Sequence, residues 1–425
     1  MLSTLRNAWK IPDLRKKMLF TLMMLVVFRL GANIPVPGID KSIISQMFEG
    51  QTGGILELFN LMSGGAFKRM TIFALNIYPY ITASIIIQLL TIAIPALERL
   101  AKEGEEGRKK IAQYTRYGTV IFALIQAIGI SVGLFRQALI DTSFLSISVV
   151  VITLTAGTAF LMWLGEQITE NGIGNGISLI IFTGIVSRIP AGIYSVSNLY
   201  FKAGTINLFH IIGFLIMAVI IIAGIVAIQE GQRKIPVQYA KRVVGRKMYG
   251  GQSTHIPIKV LMAGVIPVIF ASSLLAFPQT LTFFFSGAYK EFIYKWFSPR
   301  GTAAGVIIYG SINALLIIFF TYFYTAIQFN PVEYANNLKQ HGGFIPGIRP
   351  GKPTSEYLNR VISRITLVGS LALAFIATLP IVMNFTALKV GFGGTALLIV
   401  VGVALETVKQ MEQQMLMRHY KGFLR

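Results

Sequence analysis

Histidine and cysteine, the residues that most often carry acid–base chemistry or bind metals, are sparse in this 425-residue chain. The four histidines are scattered, and we expect surface or interface positions for all of them: His210, His255, His341 and His419. The HExxH zinc motif is absent. There is no cysteine, which excludes disulfides, thiolate metal sites and thiol catalysis. We therefore predict no metal site.

Ionisable side chains also avoid the centres of the long apolar runs. Glu166 and Glu170 lie at the end of one run, and Glu406 lies towards the end of the last. Arg29 and Arg188 lie near run ends, where a long side chain can reach water or a polar partner. Ion-coupled transporters and intramembrane enzymes need ionisable groups at membrane depth, so this pattern disfavours both classes.

The glycine-rich stretch "NGIGNGIS" (171–178) is the one segment that resembles a nucleotide-binding loop. It opens an apolar run instead of following a soluble strand, so a tight, flexible loop is the better interpretation. No Walker-type phosphate-binding motif occurs elsewhere. We predict that the chain binds no cofactor and is not an enzyme.

The composition identifies the elements that would position any site. The chain is 54% hydrophobic and 13% charged, whereas soluble domains carry roughly a quarter charged residues. A helix that crosses a bilayer needs about 20 apolar residues. Ten windows of this kind predict ten spans, at 18–37, 71–94, 114–135, 147–168, 176–196, 207–229, 259–286, 303–328, 361–386 and 391–412.

The net charge of +21 follows mostly from the orientation that these spans imply. With the N-terminus inside, most lysines and arginines fall in inside segments, which predicts that both termini are cytoplasmic. Two inside loops, 230–258 and 330–360, are longer than topology requires and mix basic residues with aromatics, Gly and Pro. They could form a docking surface for a large or acidic partner, or contact anionic lipids.

The segment "GILELFNLMSGG" (54–65) is too short to span a membrane and is bracketed by glycines. From its residues alone, a re-entrant or extracellular capping helix is the simpler interpretation. Elsewhere, Ile77 and Ile81 stand four residues apart, as do Ile177 and Ile181, which places each pair on one helical face. Span two also carries Thr82, Ser84 and Gln88, polar groups that need partners within lipid.

Eight motifs, in order along the chain, resemble those of the SecY family, the central subunit of bacterial protein-conducting channels. They are "GGILELFNLMSGGAF", "PYITASIIIQLL", "KEGEEGRKKIAQYTRYGT", "MWLGEQITENGIGNGIS", "QYAKRVVGRKMYGGQSTHIPIKV", "AGVIPVIFASS", "NNLKQHGGFIPGIRPG" and "GGTALLIVV". The resemblance covers essentially the whole chain. It implies an all-α polytopic membrane protein with ten transmembrane helices in two inverted five-helix halves, 1–205 and 206–425, around a central hourglass pore.

The resemblance further implies that a ring of apolar side chains forms the waist of the pore. This ring maps onto Ile77, Ile81, Ile177, Ile181, Ile269 and Ile399. Branched aliphatic side chains offer a passing polypeptide no charge or hydrogen bond, and a narrow apolar constriction disfavours water and ions. The short segment is similar to the family's plug helix, within 54–67, which would seal the ring from outside through Ile55, Leu56, Glu57, Leu58, Phe59, Asn60, Leu61 and Met62.

By the same resemblance, spans two and seven form a lateral gate that releases hydrophobic segments of the passing polypeptide into lipid. Thr82, Gln126 and Phe277 fall at gate positions. The implied function is a passive, multi-pass channel of the plasma membrane that conducts unfolded secretory polypeptides.

The implied partners are the SecE and SecG subunits, the SecA ATPase, a translating ribosome, the secretory precursor with its signal peptide, and membrane lipids. SecA would hydrolyse the ATP. The residues expected to dock SecA or the ribosome are Arg246 and Lys247 in the first loop and Arg349 in "GIRPG" of the second.

Three rival classes make different predictions. A secondary transporter needs a charged or ion-coordinating site at the membrane midplane, and an intramembrane enzyme needs a catalytic group at depth. A peptide insertase without a continuous pore would lack an isoleucine ring drawn from four separate spans.

Overall fold

The structure is a computed structural model that describes residues 2–40, 42–44, 46, 60, 63–201, 208–239, 242–244, 247–249, 253–282, 284, 287–298, 302–383 and 394–422. In the described residues up to 201, the regular elements are all helices. The helices are α1 (Leu2–Lys10), α2 (Pro12–Gly31), α3 (Tyr78–Ala93), α4 (Pro95–Lys102), α5 (Glu105–Ile128), α6 (Phe144–Asn171), α7 (Gly176–Val186) and α8 (Ile189–Phe201). A π-helical turn, Gly129–Leu134, continues α5, and a 3₁₀ turn follows at Arg136–Ala138.

The second part combines helices with short strands. Its helices are α9 (Leu208–Glu230), α10 (Ile266–Leu281), α11 (Ala288–Trp296), α12 (Ala303–Gln328), α13 (Pro331–Gln340), α14 (Lys352–Met383) and α15 (Gly394–Gly422). Its strands are β1 (Gln232–Tyr239), β2 (Arg242–Val244), β3 (Lys247–Tyr249), β4 (Ser253–Lys259) and β5 (Gly343–Phe344).

Local sequence explains where several of these helices begin. Proline occupies the first turn of α2, α3, α4, α10 and α13, where its missing N–H costs no helical hydrogen bond. Polar side chains cap four helix starts, including that of α13, because their oxygens accept hydrogen bonds from backbone N–H groups that would otherwise be unpaired. These caps are Ser143 before α6, Asn175 before α7, Thr302 before α12 and Asn330 before α13.

The expectation of an all-α chain is wrong in the two long loops, 230–258 and 330–360. There β1 pairs antiparallel with β4 and with β5, giving a three-stranded sheet in the order β4-β1-β5, while β2 pairs with β3. The physical reason lies in "QRKIPVQY", where Ile235 and Val237 alternate with exposed residues. Both side chains are buried against Phe329 and the start of α14, so the two loops form one small folded unit.

Within the described residues, six helices are long and apolar enough to cross a membrane, or seven if the bent pair α3–α4 counts as one span. The six are 105–134, 144–171, 176–194, 211–230, 303–340 and 352–379. Other predicted spans are shorter or more charged: α10 has 16 residues, and α2 carries Arg15, Lys16 and Lys17 near its start. The coarse architecture is therefore a multi-helix membrane protein, and the ten-span arrangement stays a prediction.

Span two, predicted over 71–94, begins its helix only at Tyr78. Residues 63–70 and 72–77 form turns instead, and Thr71 between them forms an isolated β-bridge with Pro35. Asn76 explains the delay, since its φ of 53° is left-handed and cannot continue a right-handed helix. A second break follows Ala93, where Pro95 starts α4 at an angle of 100° to α3.

The apolar core lies mainly in one contiguous cluster that draws on both parts of the chain. Three helix pairs matter for the site: α3 packs against α5 and α10, and α7 packs against α15. A separate small cluster joins α1 to α15 through Ala8, Leu14, Ile173 and Met411. The chain segments that precede and follow position 205 are therefore packed together at several places.

Candidate functional site

The first pair of predicted pore residues lies at the start of α3. Ile77 is the residue before the helix, and its carbonyl oxygen accepts a hydrogen bond of 3.0 Å from the backbone N–H of Ile81. The two side chains thus stand one turn apart, as their spacing predicts. Both are almost completely buried.

The second pair lies on α7, whose start is fixed by a cap and a close helix contact. The Asn175 side-chain oxygen accepts hydrogen bonds of 3.1 Å and 3.2 Å from the N–H groups of Ile177 and Ser178. Gly176 lies against α6 so closely that a Cβ atom there would be 2.0 Å from the Gly165 carbonyl oxygen. These contacts orient α7 so that Ile181 is buried and Ile177 is half-buried.

The last two predicted pore residues are buried as well, Ile269 on α10 and Ile399 on α15. All six isoleucines belong to, or pack against, the same apolar cluster, although they come from four chain segments. The predicted residues are therefore part of the main apolar core or pack against it. Their arrangement as a ring around an opening stays a prediction.

Seven of the eight predicted plug residues (55–59, 61 and 62) lie outside the described residues. The eighth, Asn60, is buried, and its side-chain oxygen accepts a 3.0 Å hydrogen bond from the N–H of Lys68. Its carbonyl oxygen accepts another, of 2.8 Å, from the N–H of Gly65. Gly64 and Gly65 adopt φ angles of +64° and +88°, a conformation that glycine adopts without steric cost.

The predicted gate residues lie on three helices that meet at α3. Thr82 on α3 donates a 3.1 Å hydrogen bond to the Tyr78 carbonyl oxygen of its own helix. Gln126 lies on α5 just before the π-helical turn, and Phe277 on α10 is partly exposed just before Pro278. In the described part of the chain, no hydrogen bond joins Thr82 to Gln126. The structure thus brings their helices together without showing contact between the gate side chains themselves.

One contact between the two parts of the chain was not predicted. The Tyr324 hydroxyl on α12 donates a hydrogen bond to the side-chain oxygen of Gln88 on α3. The sequence marked Gln88 as a polar group that needs a partner in lipid, but nothing in the pattern indicated that the partner would lie 236 residues away.

The predicted docking residues have different outcomes. Arg246 lies outside the described residues, and Lys247 begins strand β3. Arg349 is exposed on a turn between Gly347 and Gly351, which have φ angles of +80° and +103°. Its carbonyl oxygen accepts a 2.8 Å hydrogen bond from the Thr354 hydroxyl, which ties the turn to the start of α14. The structure therefore presents Arg349 on a well-defined loop.

The charged residues near the run ends have local polar partners. Glu166 forms an ion pair of 2.8 Å with Arg116 on α5, and Arg29 donates a 3.0 Å hydrogen bond to the Ser187 hydroxyl. In the described segments, no group of three or more His, Cys, Asp or Glu side chains could hold a metal ion. Glu166 and Arg29 therefore form polar contacts with other helices or helix ends.

Comparisons with known proteins identify the family of this chain. The SecY family profile matches residues 71–408. The chain is 49% identical to the protein translocase subunit SecY of Halalkalibacterium halodurans and 46% identical to that of Mycobacterium bovis, and both alignments cover 100% of each chain.

Two solved structures, each aligned over 94% of this chain and 92% of the other, have the same fold. One is a protein-conducting channel, with a TM-score of 0.69 at 23% identity. The other is Sec61 in the canine ribosome-channel complex from the endoplasmic reticulum, with a TM-score of 0.65 at 21% identity. Because relatives nearly half identical align along its entire length and the family profile covers most of it, the chain belongs to the SecY family.

Proposed function

We propose that this chain is the channel subunit that passes unfolded secretory polypeptides across the plasma membrane and releases hydrophobic segments sideways into the bilayer. The observation that carries the proposal is that six isoleucines from four chain segments belong to, or pack against, one contiguous apolar cluster. Relatives also support the proposal, because the proteins that align with this chain over their full length are named protein translocase subunits. A constriction of this chemistry lets a polypeptide pass without binding its sequence, and it disfavours water and ions.

The proposed architecture has ten spans in two inverted halves, 1–205 and 206–425, with both termini in the cytoplasm. A plug within 54–67 closes the isoleucine ring from outside in the resting channel. Gly64 and Gly65, whose backbone is in the left-handed conformation, give this segment a hinge near its C-terminal end. The lateral gate opens between α3 and α10. Pro278 inside α10 removes one backbone hydrogen bond of that helix, which makes the helix easier to bend there.

The chain supplies the conduit, and its partners supply the work. The proposed partners are SecE and SecG in the membrane, and SecA or a ribosome at the loops that carry Arg246, Lys247 and Arg349. Arg349 supports this assignment because its guanidinium is exposed on a turn held by two glycines and the Thr354 hydrogen bond. A guanidinium so placed is suited to bidentate contacts with carboxylates or phosphates. ATP hydrolysis belongs to SecA.

Site-specific cross-linking tests the pore directly, because the chain has no cysteine of its own. A secretory precursor with one cysteine is stalled during SecA- and ATP-driven passage through vesicles that carry Ile81→Cys. Ile92→Cys is the matched control, since it lies on the same helix but is 55% exposed, whereas Ile81 is 4% exposed. We expect a SecA-dependent disulfide at Ile81 alone. Cross-linking at Ile92 but not at Ile81 would instead indicate an insertase that moves its substrates along the lipid boundary.

A further inference from the structure

The hydrogen bond between Tyr324 and Gln88 joins helices that belong to different halves of the proposed channel. Gln88 lies on α3, one wall of the proposed lateral gate, and Tyr324 lies on α12. The Tyr324 hydroxyl forms no other hydrogen bond within the described residues. Both positions are near the ends of their helices that precede the inside segments, so the bond lies towards the cytoplasmic side of the gate.

Aromatic packing attaches Tyr324 to the opposite wall of the gate. Its ring meets the Phe270 ring of α10 edge-on, with centroids 5.2 Å apart, and Phe320 meets Phe270 at 5.9 Å in the same way. α12 and α10 are therefore packed together and are expected to move together. Separation of α3 from α10 would then carry Tyr324 away from Gln88.

The surroundings make this bond costly to lose without replacement. Tyr324 is 6% exposed, so its hydroxyl has no ready access to water. Both polar atoms of the Gln88 side chain form hydrogen bonds. Its nitrogen donates a 3.3 Å hydrogen bond to the Ser84 hydroxyl, and its oxygen accepts one from the Tyr324 hydroxyl. A buried polar group that loses its partner carries the full penalty of desolvation.

We propose that Gln88 and Tyr324 form a latch that holds the lateral gate shut at its cytoplasmic end and thereby sets how hydrophobic a segment must be to leave the pore sideways. The latch rests on the proposed function, since it presupposes that α3 and α10 separate. It adds Gln88 and Tyr324 to the gate positions Thr82, Gln126 and Phe277, and of these two residues the sequence singled out only Gln88, as a polar group that needs a partner.

The test uses a substitution that removes one oxygen atom. Tyr324→Phe deletes the hydroxyl and keeps the ring against Phe270. Tyr322→Phe is the matched control, because that hydroxyl lies on the same helix but donates its 3.1 Å hydrogen bond to the Ser363 carbonyl oxygen of α14, within the same proposed half. Gln88→Leu and the double variant with Tyr324→Phe complete a double-mutant cycle.

The first measurement follows gate opening in the full channel complex in lipid vesicles. Spin labels at Ile92→Cys and Ile327→Cys, which are 55% and 51% exposed, report the distance between the ends of α3 and α12. The labelled channel is titrated with a synthetic signal peptide. When the open state is rare, the peptide concentration at half-opening scales inversely with the open fraction. We expect Tyr324→Phe to lower that concentration roughly three- to tenfold, the effect of one neutral, partly buried hydrogen bond.

The second measurement is the hydrophobicity at which half of a series of test segments enters the bilayer. We expect Tyr324→Phe and Gln88→Leu each to insert less hydrophobic segments than the parent does. Because both remove the same hydrogen bond, the threshold shift of the double variant should be smaller than the sum of the two single shifts. If Tyr324→Phe behaves like Tyr322→Phe in the titration, the latch is refuted. If the titration shifts as expected but the insertion threshold does not move, the hydrogen bond holds the gate shut but does not set the threshold, and that part of the proposal is refuted. If the gate opens but no test segment of any hydrophobicity enters the bilayer, the proposed sideways release itself is wrong.

Discussion

The closest helix contact in the candidate site makes Gly176 a sharp test of the described packing. A Cβ atom at Gly176 would lie 2.0 Å from the Gly165 carbonyl oxygen and 2.8 Å from the Ile168 Cβ. Neither obstacle is the far end of a flexible side chain, so no rotamer change relieves the clash. The substitution Gly176→Ala must therefore move α7 away from α6, and α7 carries Ile177 and Ile181.

The required displacement sets the size of the effect. An ordinary contact begins at 3.4 Å, so the two helices must separate by about 1.4 Å, the difference between 3.4 Å and 2.0 Å. Forced overpacking of this kind costs about 1 to 3 kcal/mol. Gly213→Ala on α9 provides the control, because a Cβ atom there meets nothing within 4 Å and the change gains about 0.5 to 1 kcal/mol of helix stability. The two variants should differ by about 1.5 to 4 kcal/mol.

Two assays follow this prediction. Denaturant unfolding of the purified protein, monitored by tryptophan fluorescence, reports stability, and Trp163 on α6 lies close to the contact. Ion leak through proteoliposomes reports the isoleucine cluster, which should loosen as α7 moves. Gly165→Ala gives an intermediate case, since its Cβ would meet the Ile177 side chain at 3.0 Å rather than backbone. We expect the order of damage to be Gly213→Ala, then Gly165→Ala, then Gly176→Ala.

The reasoning fails if Gly176→Ala matches Gly213→Ala in both stability and ion leak, because α6 and α7 would then not approach as described. It fails in a different way if Gly176→Ala destabilises the protein while a folded, reconstituted fraction shows no added leak. In that case the contact is real, but α7 does not position a seal.

Three further predictions concern the ring, the cap and the loop. Ile81→Asn should raise the resting ion conductance of the channel, since a buried amide attracts water to an apolar constriction. Ile92→Asn, on the exposed face of the same helix, should leave the conductance unchanged. Equal conductance of the two variants would contradict the pore assignment. Asn175→Ala should lower the unfolding free energy by about 1 kcal/mol through loss of the α7 cap, and Asn175→Asp should restore it in denaturant titrations. Arg349→Glu should reduce SecA-stimulated transport and SecA affinity in a flotation assay without changing stability, and Arg349→Lys should retain only part of the affinity because it cannot form a bidentate contact.

Hydropathy predicted the long helices well, because a run such as α6 has no other favourable environment. It failed where local backbone conformation decides the structure. Asn76 adopts a left-handed φ that delays the start of α3, and composition does not encode that choice. The loop strands were missed because the alternation of Ile235 and Val237 is short and becomes meaningful only once Phe329 covers it.

The candidate site shows the same division. The four-residue spacing of Ile77 and Ile81 was sufficient to place both on one buried face, since helical geometry fixes that relation locally. The Tyr324–Gln88 bond could not be predicted, because the sequence does not specify which of many polar groups in the spans will meet across the fold.

The three-stranded sheet gives the loops a mechanical property. Because β1 pairs with both β4 and β5, a force on either loop is borne by one stiff body instead of being absorbed by slack chain. Phe329, at the end of α12, is buried in the same cluster as Ile235 and Val237, so this body is fastened to the helix that carries Tyr324. The distance along α12 from Phe329 to Tyr324 is roughly one and a half helical turns. If a motor or a ribosome binds these loops as proposed, a force on them would reach the proposed gate through this short stretch of α12.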